Sequence, residues 1–447
     1  MSTLTTLHTE KQDWSGVEIF LFRTTFIFLL LLTIPLDPGY YQKIFSFNLS
    51  NLHFQDFFQL SNYVPRLFAT SDWGIASYSG WGVALLIALA GAFTWQRMDS
   101  TGKQDNEQLY YWLRVIVRYR LALALIGYGV IKLIPVQLPG ATLSDLHTAY
   151  GDFLPWKIYY LSTGVAKAGY EQTLGAIEIA AGLLLIWRPT AVIGAGIAAA
   201  FLINIVLVNF AYQLGQHVYS VYLLLLAAFI LAYDTPRLFH LLVKEGKARA
   251  DHFEPVFSKN IPLLRYAAKI VLAVFVVAYA SLTYSSHAKS KWPYPDTPGL
   301  SKAYGVYNVK EFKVNKKLLP YSATDTTRWQ DVVFEKWNVL SIRANKNLPV
   351  DISSPVIEAQ ADAKRCFDAE GNGGRAFYSY VTDKNKITIS NKYIHSDIQA
   401  YTFSRPDSST IVLDGVNSSN DTLHVVLEKL KKEYLLFKGR RKPVKVY

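Results

Sequence analysis

Up to about residue 285 the chain alternates long apolar runs with short polar links. Beyond it, short stretches alternate apolar and polar side chains every second residue, broken by Gly, Pro, Asn and Ser. The two periods predict two bodies, helical and then strand-rich. A bilayer core of about 30 Å is crossed by about 20 mostly apolar helical residues. Seven windows approach that length, at 17–36, 81–95, 119–138, 174–187, 190–212, 219–233 and 264–284. The fourth and fifth are separated only by Arg188 and Pro189, a tight hairpin. The predicted organisation is residues 1–110 as amino-terminal spans with an aromatic outer segment, 111–240 as a four-helix bundle, 241–290 as a basic link and last span, and 291–447 as an outer β-rich domain.

Lys and Arg collect on one set of links, among them Arg97, Arg114, Arg118, Arg120, Arg188, Arg237 and Lys244, whereas the opposite links hold few, among them Lys43 and Lys157. By the positive-inside rule the amino terminus then lies inside. An odd number of spans puts everything after residue 285 outside, which in a bacterium means an inner-membrane protein with a periplasmic carboxy-terminal domain. The first span carries no small-residue cleavage site and reads as a retained anchor. The segment 37–80, rich in aromatics, reads as a packing collar around the bundle, and 238–253 as a basic helix lying on the anionic leaflet.

In the outer domain, stretches such as "YGVYNVKEF", "VLSIRA", "AFYSYVT", "KITIS" and "TIVLDG" predict about eight strands in an up-and-down barrel or a curled sandwich, with 353–374 as a helical insertion. Trp329, Phe334, Trp337, Phe377 and Tyr380 are the candidates to face inward. A barrel of this size is either packed solid or holds one small apolar ligand.

Of the 447 residues, 51% are hydrophobic and 18% charged, which excludes an ordinary soluble protein. The formal charge of +12 is largely positive-inside bias, and the tail "KGRRKPVKVY" suits lipid head groups or solvent rather than nucleic acid. Cys366 is the single cysteine, so neither an internal disulfide nor a CxxC thiol exchanger is available. No motif for haem, flavin or metal stands out.

Candidate chemistry centres on "YGVIKLIPVQLPG", where Lys132 sits in an otherwise apolar run. Twelve residues separate it from Arg120, roughly 18 Å of helix, which places it deep in the bilayer. A charge there calls for a partner or a wet cavity. In "YEQTLGAIEIAAGLLLIW", Glu171, Gly175, Glu178 and Gly182 share one helix face, and Glu178 matches Lys132 in depth. The expected site is therefore Tyr128, Lys132 and Gln137 with Glu171 and Glu178, joined by Asn204 and Asn209 of the next span. The glycines allow close helix approach. Arg23 is expected to snorkel to the interface, and Asp234 with Arg237 to cap a span end.

The stretches "YGVIKLIPVQLP", "YGDFLPWKIYYLSTG", "GAIE" and "NIVLVNF" together resemble the DoxX-like membrane proteins over residues 110–240, and the outer domain weakly resembles a lipocalin-like barrel. The first resemblance implies a four-helix core and a redox-linked or quinone-linked membrane role, with Tyr128, Lys132, Gln137, Glu178 and Asn209 in the pattern. The chain has no electron-carrying motif of its own, so any enzymatic role would be as a subunit of a membrane oxidoreductase. Two readings stand open. One is an accessory component of membrane redox metabolism that contacts a quinone or lipid at the Lys132 and Glu178 level. The other is a non-enzymatic scaffold whose outer domain binds a lipid or protein partner and whose buried charges are structural.

Overall fold

The computed structural model describes residues 14–65, 73–99, 106–165, 169–246, 261–352, 357 and 361–438. The long helices are α1 (Gly16–Thr33), α4 (Ser79–Met98), α5 (Asn106–Leu133), α8 (Tyr170–Ile186), α9 (Ala191–Ala211), α10 (His217–Leu242) and α11 (Ile261–Lys289). Short helices fall between them: α2 (Pro38–Phe45), α3 (Phe54–Ser61), α6 (Leu143–Leu146) and α7 (Pro155–Gly164), with α12 (Leu435–Lys438) after the strands. Among the described residues, five segments are long and apolar enough to cross a membrane; they contain α1, α4, α9, α10 and α11. The remaining two predicted spans fall short for physical reasons. Helix α5 carries Arg114, Arg118, Arg120 and Lys132, and α8 has only 17 residues.

Those arginines are accommodated inside the bundle. Arg118 donates to the carbonyls of Leu185 and Ile186, both at 2.9 Å, and so satisfies the last turn of α8. Arg114 reaches Asp234 at 3.3 Å, and Arg237 reaches the same carboxylate at 3.5 Å. Arg23, expected to snorkel, is instead 2% exposed and paired with Asp99 just beyond α4. A buried guanidinium with a carboxylate at hand loses less than one dragged to the interface.

Part of the aromatic segment, helix α3, packs into the bundle, where Phe57 lies parallel to Tyr279 of α11 and Phe58 meets Tyr128 of α5 edge-on. Arg120 donates to the carbonyls of Ser61 and Tyr63, at 2.6 and 2.5 Å. Arg120, from which the depth of Lys132 is counted as from the cytoplasmic edge, is therefore held inside the bundle by α3 and does not mark that edge. Lys132 lies in the last turn of α5, at the end of the bundle nearest the strands.

The strand body is an antiparallel barrel. Its strands are β1 (Gly305–Val314), β2 (Lys317–Leu318), β3 (Trp329–Phe334), β4 (Val339–Ala344), β5 (Ala376–Asp383), β6 (Lys386–Asn391), β7 (Ile398–Ser404), β8 (Thr410–Val416) and β9 (Thr422–Lys429). Each pairs with its successor apart from the small β2 flap on β1, and β1 pairs with β9 from Tyr307↔Lys429 to Val314↔Leu423, closing eight strands. Closure leaves no free edge along those eight strands. The interior is filled by rings: Tyr307 contacts Phe334, Phe334 contacts Tyr380, and Trp329 contacts both Phe312 and Tyr401. Trp337 and Phe377 are buried too, but on the outer wall, in a small cluster with Ala369 and Tyr294. Strand alternation explains the split, since Phe377 and Tyr378 must point to opposite faces. The described part of 353–374 is a turn at Asp362–Lys364 within loops, not an α-helix.

Candidate functional site

Helix α5 ends at Leu133 because Pro135 follows and cannot extend the hydrogen-bond ladder. Tyr128 and Lys132 lie one turn apart on its final stretch. The Lys132 ammonium is 5.6 Å from the ring centroid of Tyr128 and 5.6 Å from that of Phe201 on α9. Helix α8 meets α5 almost backbone to backbone. A Cβ added to Gly175 would stand 2.5 Å from the amide nitrogen of Leu133 and 2.6 Å from the Gly129 carbonyl, and one on Gly182 would stand 3.0 Å from the Ala122 carbonyl. That approach carries Glu178 to Lys132, with Nζ to Oε1 at 2.5 Å. Glu178 is 2% exposed, and its other oxygen, Oε2, is buried without a hydrogen-bond partner.

The pair faces a cavity of about 160 Å³ between α5, α7, α8, α9 and α10. Six of the seven expected site residues line it: Tyr128, Lys132, Gln137, Glu178, Asn204 and Asn209. Glu171 does not. It accepts from the Leu138 amide at 3.2 Å and tethers the turn after α5. Asn209 lines the wall but is committed structurally, donating to the Ile205 carbonyl at 2.9 Å and accepting from the Gln216 amide at 3.0 Å across the α9–α10 turn. Asn204 is exposed and marks the rim. The walls are aromatic, with Tyr159, Tyr160, Tyr170, Phe201 and Tyr219 added to Tyr128.

A second compartment of about 90 Å³ adjoins the first. The two share Tyr128, Gln137, Tyr160 and Gln216, and the roof of the second is Arg365, Cys366, Phe367 and Glu370 from the outer domain. The Cys366 thiol donates to Glu370 Oε1 at 3.3 Å, and burial together with the Glu370 charge pushes its pKa up to about 12.

The roof is held down by a polar junction. The Lys157 ammonium of α7, fully buried, donates to the Phe367 carbonyl at 2.5 Å and lies 4.0 Å from Asp145. Ser144 donates its amide and hydroxyl to Glu335 at 2.8 and 2.7 Å. Burial raises the Glu335 carboxyl to about 7 against those bonds. Arg375, 2% exposed, donates to the His147 carbonyl at 3.1 Å and ion-pairs with Asp331 at 2.5 Å. The Leu154 amide meets the Gly371 carbonyl at 2.9 Å, and Gly373 donates to Asp152 at 2.8 Å.

No protein-family model matches the chain, and neither a curated protein nor a solved structure matches it. The site thus stands on its own geometry. Sequence reasoning missed Tyr159, Tyr160 and Gln216, as well as the outer-domain roof. The doublet at 159–160 opens toward the cavity from a short helix whose period is too brief to read, and Lys157 was counted as a link charge although it is fully buried.

Proposed function

We propose that the chain is a multi-pass membrane protein whose helical body receives the polar head of an amphiphile, a quinone or a lipid, in the cavity beside Lys132 and Glu178. The observation that carries this reading is a buried ion pair whose carboxylate keeps one oxygen unpartnered on an aromatic-walled cavity, since intramembrane ion pairs facing a cavity mark ligand and proton sites. On this reading α5 and α8 cross the membrane with the five apolar segments, making seven spans around a DoxX-like four-helix core. The amino terminus is inside, and the barrel is periplasmic above a bacterial inner membrane. The gathering of Arg97, Arg188 and Arg237 on the links and helix ends away from the barrel supports that orientation. The chain would serve as an accessory component of membrane redox metabolism, with electrons carried by a partner.

The rival is a non-enzymatic scaffold that binds lipid or a protein partner. Arg118 and the Arg23–Asp99 and Arg114–Asp234 pairs favour it, since each buried charge there is taken up by another group of the bundle. Oxidised and reduced absorption spectra of the detergent-purified protein, with mass spectrometry of the extracted small molecules, separate the two. A redox-active band or a co-purified quinone supports the first reading, and a featureless spectrum with phospholipid alone removes its redox role in favour of the scaffold. Tagging at Ser2 and Ser301 tests the orientation, which requires labels on opposite sides.

A further inference from the structure

The unpartnered oxygen specifies what it lacks. Glu178 Oε1 is engaged by Lys132, so the pair is electrically closed, while Oε2 is buried and retains accepting lone pairs without a donor. Buried acceptors without donors are rare because each forfeits the hydrogen bond it had in water. The missing group is therefore a donor. An anionic head such as a phosphate or carboxylate would meet Oε2 with like charge, and a cation would meet the Lys132 ammonium. The walls carry aromatic rings from α5, α7, α8, α9 and α10 among aliphatic side chains, a lining that suits an aromatic ring. The volume of about 160 Å³ sets the size, since an apolar cavity of about 150 Å³ accommodates one benzene.

We infer that the cavity takes a neutral single-ring compound carrying a hydroxyl, a phenol or ring alcohol, whose O–H is accepted by Glu178 Oε2. This rests on the cavity being a binding site and adds its selectivity. The contact is a hydrogen bond, with no bond broken and no proton transferred. In quinone terms the hydroxylated, reduced ring is the form that fits.

The probes are phenol, toluene and benzoate. Phenol and toluene match in size and differ in the donor; benzoate adds the negative charge. Each is titrated calorimetrically into the full-length protein in lipid nanodiscs and corrected against empty nanodiscs. Phenol is expected to bind at least about tenfold tighter than toluene, the scale of one hydrogen bond to a charged group, and benzoate more weakly than phenol. In the double variant Lys132→Met with Glu178→Leu, which removes both charges together, the phenol preference over toluene is expected to fall to about onefold. Equal binding of phenol and toluene by the native protein overturns the inference and leaves the cavity a binding site. Benzoate binding tighter than phenol overturns it in favour of an anion site. No binding above the blank by any probe removes the inference and the site reading together. The native comparison decides even if the double variant fails to fold.

Discussion

At the scale of single residues, charge placement carries the most information. Lys132 was legible because a lysine in an apolar run demands a partner, and Glu178 because its spacing from Gly175 and Gly182 put it on the face that permits close approach. What could not be read was the level of the pair, since Arg120, taken as an edge marker, is bound to α3 inside the bundle. If the pair is held as described, Lys132→Met alone leaves a buried carboxylate without its cation and should cost about 3–5 kcal/mol, whereas Lys132→Met with Glu178→Leu should be close to neutral. Thermal unfolding of the full chain in detergent checks this, and equal stability of single and double variants would rule it out. Cys366 offers a second test. With its pKa pushed up to about 12 by burial and by Glu370, almost no thiolate exists at neutral pH. Maleimide should label it far more slowly in the native protein than after unfolding; matching rates would mean the thiol is not buried in the roof.

At the scale of elements, the long apolar helices and the alternating strands were readable because burial and period coincide in them. The short elements were not. Helix α3 is eight residues of aromatic and polar side chains that look interfacial in isolation, and only its fit between α5 and α11 makes it interior. The assignment of Trp337 and Phe377 to the barrel interior failed because an outer wall covered by a loop selects the same residue types as a core. The α5–α8 contact is the element-level feature most open to a test. A methyl at Gly175 would stand 2.5 Å from backbone nitrogen, with no flexible side-chain tip to yield. Gly175→Ala should therefore push α8 from α5, destabilise the protein by about 1–3 kcal/mol and weaken phenol binding by lengthening the Lys132–Glu178 contact. Unchanged stability in the same unfolding assay would show that the helices lie farther apart than described.

At the scale of the whole molecule, the two bodies are joined by buried polar groups drawn from residues 142–157 on one side and from β3, Glu335 just after it, β4 and 365–375 on the other. None of this was legible, because such a junction pairs residues nearly two hundred positions apart, as Ser144 and Glu335 are. Its titration can be predicted. Glu335 holds its proton to about 7 in the folded protein, against an ordinary 4.5 in the unfolded chain. Between those values the unfolded chain binds fewer protons, so stability should fall as pH rises from about 4.5 to about 7 and level off above, by about 3 kcal/mol from this group. Glu335→Gln should abolish that part of the slope when unfolding of the full chain is followed from pH 5 to pH 8; identical profiles would show that the carboxyl is not buried at the junction. The ring closure of the barrel has a consequence for how the protein is made. Because β1 is sealed by β9, the barrel cannot exist until Lys429 has been synthesised. The helical segment that docks on it, with Lys157 among its charges, emerges long before. During synthesis that segment must wait, wet and unpaired, so the cavity acquires its roof only as one of the last events of biogenesis, after the membrane body is already in place.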